Sequence, residues 1–162
     1  RAVPGQTSQL DQFVRATSYE HDEHGYTTEK PEWIVRMNEK RLRKMRYIEL
    51  EVEKLRPVAV YGKGKKLIVS WGSTKGAILD ALKALKDFRF MQISYIVPFP
   101  SKAVKKEIKS SKSVLLVENN ATGLLGDIIS EKTGCFIDNK LLKYDARPFT
   151  SKDIIAGVKK FR

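Results

Sequence analysis

The chain has 162 residues, carries 31 Lys and Arg against 19 Asp and Glu for a formal charge of +12, and is 41% hydrophobic. That length has room for one α/β domain and an attachment, and the polarity comes from charge rather than from a shortage of Ile, Leu and Val, which excludes disorder throughout. Apolar runs stop after a handful of residues, far short of the ~20 that a membrane-spanning helix needs, so a soluble protein with no membrane partner is expected.

The opening stretch, Arg1 to Gln12, is polar and turn-rich, lacks a charged-then-apolar signal segment, and reads as the continuation of a longer chain. Residues 31–55 lack Gly, begin with Pro31, and set Trp33, Met37, Met45, Ile48, Val52 and Leu55 at spacings of three, four or eight, which predicts one long helix with an apolar stripe. Arg56-Pro57 ends it, because proline steers its predecessor away from the helical region. This helix is expected to be a connector lying against a neighbouring domain. From Pro57 onward short apolar runs alternate with amphipathic stretches. Val58 to Tyr61, Leu67 to Trp71, Phe90 to Val97 and Ser113 to Val117 are predicted strands, with a fifth drawn from Cys135 to Ile137 or Leu141 to Tyr144. Helices are predicted from Thr74 to Phe88, from Ser101 (as cap) to Ile108, and from Thr122 to Lys132, the last burying Leu124, Leu125, Ile128 and Ile129 and stopping at Gly134. A final helix opens with a capping box at Thr150 and Asp153 and turns Ile154, Ile155, Val158 and Phe161 inward. Repeated strand-helix units imply a mostly parallel five-stranded sheet in a three-layer α/β/α domain over residues 57–162, with right-handed crossovers, preceded by a tail and connector over residues 1–56.

Charge follows that division. Residues 1–56 hold 11 basic and 10 acidic side chains, whereas 57–162 hold 20 and 9, so +11 of the surplus belongs to the second part. Lys102, Lys105, Lys106, Lys109 and Lys112 crowd together with Glu107 as the one acid among them, as a solvated helix face or a surface for an anionic partner.

In such a sheet, ligands meet the carboxyl ends of the strands, where loops feed helix N-termini. Three loops should emerge at one edge: Gly72-Ser73-Thr74-Lys75-Gly76, the rigid turn Pro98-Phe99-Pro100-Ser101, and Glu118-Asn119-Asn120-Ala121-Thr122-Gly123. The first offers amides, two hydroxyls and a lysine to an anion without the spacing of a phosphate loop, and as a cap and turn it requires no function. The third carries more polar groups than a turn requires, which points to binding or an interface. Glu20-His21-Asp22-Glu23-His24 holds both histidines; with no distant third ligand it reads as a polar loop before it reads as a metal site. The single Cys135 excludes an internal disulfide, a cysteine-held cluster and a four-cysteine zinc site, reads as a buried structural thiol, and makes a cytoplasmic setting the default. No Ser-His-Asp or Cys-His set can be assembled, so no catalytic residue and no metal ligand is assigned.

A strand-like opening around Gln12-Phe13, Glu20 to Gly25, the helix with Arg36-Met37 and Lys40-Arg41, Trp71 to Gly76, Pro98 to Pro100, Val117 to Gly123, and Leu141 to Thr150 together resemble, in order, the C-terminal part of the alpha subunit of 2-oxoacid:ferredoxin oxidoreductases. The resemblance implies a thiamine-diphosphate enzyme that decarboxylates a 2-oxoacid, passes two electrons through iron-sulfur chemistry to ferredoxin, and forms an acyl-CoA. It implies that residues 57–162 are a transketolase C-terminal-like domain. It places thiamine diphosphate and its Mg on a beta subunit, and the iron-sulfur cluster and remaining alpha or gamma domains outside this chain, which alone would bind none of these and turn nothing over. Gly72, Ser73, Thr74, Lys75, Glu118, Asn119, Asn120, Thr122 and Gly123 would face CoA or a neighbouring subunit. The alternative is a basic structural, oligomerisation or polyanion-binding module; against nucleic acid, the surplus is mostly lysine without interleaved aromatics.

Overall fold

A computed structural model describes residues 18–161. The expectations for residues 1–17, the strand-like opening among them, lie outside the described residues. The chain divides into two compact units, Arg1–Ile48 and Glu49–Arg162, with the division inside the first helix.

In the first unit, Asp22 organises a tight turn. Its Oδ1 accepts the backbone N–H groups of His24 (2.9 Å) and Tyr26 (3.0 Å), and His21 forms a single antiparallel bridge with Thr27. Burial works to raise the Asp22 pKa, but the donated N–H bonds of Tyr26 and His24 outweigh it and hold the carboxyl below its ordinary value. Helix α1, Pro31–Lys54, then runs as predicted. Glu23 and Glu20 turn to Arg36 and Arg41 of α1, so the acidic loop is bound up in ion pairs with its own helix. Of the expected stripe, Met37 and Val52 are buried, while Ile48 and Leu55 remain exposed, as do the flanking Leu42 and Leu50. After α1, Arg56 adopts a left-handed conformation with φ of 50° ahead of Pro57.

The second unit is built on β1 (Val58–Tyr61), β2 (Lys66–Trp71), β3 (Phe88–Ile93), β4 (Ser113–Glu118) and β5 (Asn139–Leu142). Their spatial order is β1-β3-β2-β4-β5, parallel throughout except for β1 against β3. Alternation along the strands feeds two cores. Leu67, Val69, Met91, Ile93 and Leu116 face Val104 of α3 (Ser101–Lys109) and Leu125 and Ile129 of α4 (Leu124–Thr133). Ile68, Phe90, Leu115 and Val117 face Ile78 and Ala81 of α2 (Lys75–Leu82) and Ile154 and Val158 of α5 (Ser151–Val158). Helices thus cover both faces of a mixed five-stranded sheet, the three-layer α/β/α arrangement expected.

Several boundaries differ from the sequence reading. Helix α2 stops at Leu82 rather than Phe88: Ala84 and Leu85 donate to carbonyls three residues back, and the carbonyl of Asp87 accepts the N–H of Lys66, which draws Phe88 into the sheet. Strand β3 accordingly runs Phe88–Ile93 and stops short of Val97, because both of its partners end at Ile93; Ser94 donates to the carbonyl of Pro57 and the chain leaves toward a cis Val97-Pro98 bond. Strand β5 overlaps the second of the two expected segments at Leu141 and Leu142 but begins two residues earlier, with Asn139 to Leu142 paired with Leu115 to Glu118. Ser101 is not a cap but the first residue of α3, whose cap is Pro100. Leu124 is exposed instead of buried, since its neighbour Leu125 takes the inward direction. The Thr150/Asp153 capping box is present with both of its bonds.

Candidate functional site

The strand order places a topological switch between β2 and β4. From β2 the chain proceeds through α2 to β3 on one side, and from β4 through α4 to β5 on the other. The carboxyl ends of two such strands diverge into helices on opposite faces and leave a crevice between them. The ladder between β2 and β4 ends at Val69 and Leu116, and beyond it opens a cavity of about 370 Å³. Trp71, Gly72, Ser73 and Thr74 line one wall, Glu118, Asn119 and Asn120 the other; Ile96 from the loop after β3 and Leu124, Leu125 and Ile128 of α4 complete it.

Both walls are shaped by side chains that turn their polar atoms inward. Ser70, buried in β2, bridges the widening strands by donating to the carbonyl of Val117, and its hydroxyl also pairs with that of Thr74. Thr74 Oγ1 in turn reaches the carbonyl of Trp71 at 3.0 Å, fixing the 3-10 turn Gly72–Thr74 that begins with Gly72 at φ 65°. A left-handed residue suits glycine at that point. On the other wall, Asn120 Oδ1 accepts three donors: Thr122 N–H (2.8 Å), Thr122 Oγ1 (3.0 Å) and Gly123 N–H (2.9 Å). Buried Glu118 accepts the N–H of Leu125 through Oε2 at 3.1 Å, satisfying one of the orphan donors of the first turn of α4. Asn119 donates to the carbonyl of Arg147 at 3.3 Å, which ties this wall to the loop after β5.

The first and third predicted loops therefore meet on one cavity. Gly72, Ser73, Thr74, Glu118, Asn119 and Asn120 line it, while Lys75, Thr122 and Gly123 do not. Lys75 lies with its ammonium 5.3 Å from the centre of the Tyr61 ring. Gly123, at φ 79°, sits in a conformation strained for any side chain, and a Cβ would press on Lys140 Cδ at 3.1 Å and Leu116 Cδ2 at 3.3 Å. Sequence reasoning missed the apolar part of the lining, namely Trp71, Ile96, Leu124 and Ile128. The signal was present in Leu124-Leu125, because two adjacent helical residues stand about 100° apart and cannot both face the sheet. What remains open at the cavity mouth is apolar surface, with Trp71 45% and Leu124 54% exposed, beside Ser73 and the two asparagines.

That donor set does not suit a diphosphate or its magnesium: no cationic side chain lines the cavity, and among the described residues no group of His, Cys, Asp and Glu could hold a metal ion. Cys135, half-buried beside Thr133, is one thiol where a cysteine-held cluster requires several. No described helix is long and apolar enough to cross a membrane.

No family model matches the chain. It is 34% identical over 152 residues to the 2-oxoacid:ferredoxin oxidoreductase subunit alpha of Saccharolobus solfataricus, an alignment covering 90% of this chain and 24% of that protein. A solved 2-oxoglutarate:ferredoxin oxidoreductase from Magnetococcus marinus, with 2-oxoglutarate, coenzyme A and succinyl-CoA bound, matches with a TM-score of 0.72 at 25% identity, over 98% of this chain and 28% of that one. A split-gene transketolase in an inactive beta4 tetramer shares the fold, with a TM-score of 0.53 at 21% identity over 64% of this chain and 40% of that one. The chain spans about a quarter of the length of the curated relatives it matches.

Proposed function

Because the chain belongs to the family of 2-oxoacid:ferredoxin oxidoreductase alpha subunits, we propose that it works as the transketolase C-terminal-like part of such a subunit, in an enzyme that converts a 2-oxoacid, CoA and oxidised ferredoxin to an acyl-CoA, CO2 and reduced ferredoxin. Residues 57–162 form the working domain and residues 1–56 its tail and connector. Thiamine diphosphate, magnesium and the iron-sulfur cluster sit on other parts of the assembly, a beta subunit among them, because the described residues of this chain do not fit them. The role of this chain is to assemble and shape the site rather than to carry a chemical step.

One observation carries the reading: the switch-point cavity opens mainly through apolar groups. Ser70, Thr74, Asn120 and Oε2 of Glu118 make hydrogen bonds within the walls, and the outward surface at Trp71 and Leu124 matches the anchor-and-pocket chemistry of a protein interface. Ser73 and Asn119 lie at the same mouth, within reach of a ligand held between this domain and its neighbour, and CoA is the substrate we assign to that position. Lys75, turned toward Tyr61, supports the wall rather than the ligand.

The test uses the assembled enzyme. Leu124→Asp places a charge in the apolar mouth and is expected to weaken subunit association, read by native mass spectrometry, while Asn119→Ala is expected to raise the CoA Michaelis constant. If association, the CoA Michaelis constant and the rate all stay at wild-type values in both variants, the cavity does not face its neighbours and the reading fails.

A further inference from the structure

On the second unit, α3 carries a feature that the switch-point cavity does not use. Lys102, Lys105, Lys106 and Lys109 fall at intervals of three, four and seven, which puts their ammonium groups along one side of the helix. All four are exposed, as is Lys112 just beyond the helix end. The other side of α3 is committed, with Val104 fully buried and Ile108 packed against the same core. Glu107, the one acid in the segment, is taken by Arg89, whose Nε lies 3.4 Å from Glu107 Oε2 and whose other nitrogens reach Gly64, Ser110 and Ser111. Among the described residues none of the five lysines has an ion-pair partner.

Folding does not account for this arrangement. Lys102 with Lys106, and Lys105 with Lys109, are like charges four apart, which oppose the helix, and Lys102 lies at the positive end of its dipole. The chemistry of the face limits what it meets. No large apolar side chain is exposed between residues 98 and 123 among the described residues, so the anchors of a permanent interface are missing. Its cations are lysines, strongly hydrated point charges, with no exposed arginine or aromatic for stacking on bases. The apolar side of α3 is inside the core, so the helix cannot lie in a membrane surface by its apolar face. What remains is a field that attracts an acidic protein, orients it and lets it go.

We infer that the α3 lysine face steers an acidic electron-carrier protein onto the enzyme, the carrier being the ferredoxin of the reaction proposed above, on which this inference rests. A carrier must arrive, accept an electron and leave within each turnover, and a hydrated lysine surface raises the encounter rate without holding the product.

The assembled enzyme carrying Lys102→Gln, Lys105→Gln, Lys106→Gln and Lys109→Gln together is compared with wild type and with the four Lys→Arg replacements. Reduction of ferredoxin and of a small viologen dye is followed with the same 2-oxoacid and CoA across a salt series. At low salt kcat/KM for ferredoxin is expected to fall about ten-fold in the Gln variant, and its dependence on salt to flatten. The Arg variant should keep wild-type values, and dye reduction should stay unchanged in all three. Unchanged ferredoxin kinetics in the Gln variant, with dye activity retained, overturn the steering role. So does a variant whose one defect is weaker binding of duplex DNA, which would make the face a nucleic-acid surface. A wild-type enzyme that reduces neither acceptor with any 2-oxoacid instead removes the proposed reaction, and the inference with it.

Discussion

Replacing Glu118 by alanine measures how far the third loop is held by its own side chains. Glu118 ends β4, is 4% exposed, and accepts the N–H of Leu125 across the turn into α4. Truncation removes a charge-assisted hydrogen bond and leaves a buried donor bare, a loss of about 2 kcal/mol from the usual worth of such bonds. The carboxylate also sits at the positive end of α4, which adds about 0.5 kcal/mol. Glu118→Gln keeps an acceptor oxygen in the same place and gives up the charge alone, so it should cost about 1 kcal/mol. For a unit of this size one kcal/mol moves the melting midpoint by about 4–8 °C, so the alanine variant should melt roughly 10–20 °C lower and the glutamine variant roughly 4–8 °C lower. Differential scanning calorimetry on the three proteins reads both. An alanine variant within about 0.5 kcal/mol of wild type would mean that Leu125 finds another acceptor at no cost. A glutamine variant as damaged as the alanine one would mean that charge, not the hydrogen bond, holds the loop. Either result refutes the account of the wall given above.

Two further substitutions probe the other end of the sheet and the last helix. A Cβ on Gly64 would lie 2.2 Å from the carbonyl carbon of Asp87 and 2.3 Å from the nitrogen of Phe88, backbone atoms that cannot step aside, so Gly64→Ala is expected to cost about 3 kcal/mol in urea denaturation. A loss below about 1 kcal/mol would contradict that close approach. Asp153 receives the Thr150 N–H, then the Lys143 ammonium and the Thr150 side chain, which pull its pKa from 3.8 to about 2. Because the folded value is the lower one, the contribution of Asp153 is fully present above about pH 4 and is lost as pH falls toward about 2. The stability gap between wild type and Asp153→Asn should therefore hold from neutral pH down to about pH 4 and close by about pH 2; a gap of the same size at both ends would rule the linkage out.

What could be read from the sequence was local. The capping box at Thr150 and Asp153 spans four residues and its partners are its own backbone, so it was legible in full. The helix over residues 31–54 and the stop at Gly134, which takes φ 69°, follow from proline, apolar spacing and glycine alone. Errors arose where a distant strand decided. Phe88 extends the apolar pattern of α2, yet it belongs to β3, because Lys66 of β2 binds the carbonyl of Asp87 just before it. Val97 continues the pattern of β3, yet no strand is left to pair with it beyond Ile93. The two candidate loops were found because strand ends and loop chemistry are written in order. Lys75 was assigned to an anion because nothing in its neighbourhood in sequence reveals Tyr61, which β1 brings to it from the sheet edge.

The same distinction explains why the cavity should be selective by shape and the lysine face by charge. At the switch point the buried hydroxyls and the Asn120 amide hold the diverging strands, as Ser70 does between β2 and β4 and Asn120 does under Gly123. Removing them would open the walls, so the outward surface there is left to Trp71, Leu124 and Ile128, whose attraction is short-ranged and depends on fit. On α3 the internal work is done by Val104 and by the Arg89–Glu107 pair, and the lysines are released from any structural duty. Their field extends about 8–10 Å at physiological salt, far enough to act before contact. Residues 57–162, with a net charge of +11, therefore carry the lysines of α3 outside the carboxyl-end cavity, whose lining holds the Glu118 carboxylate and no cation.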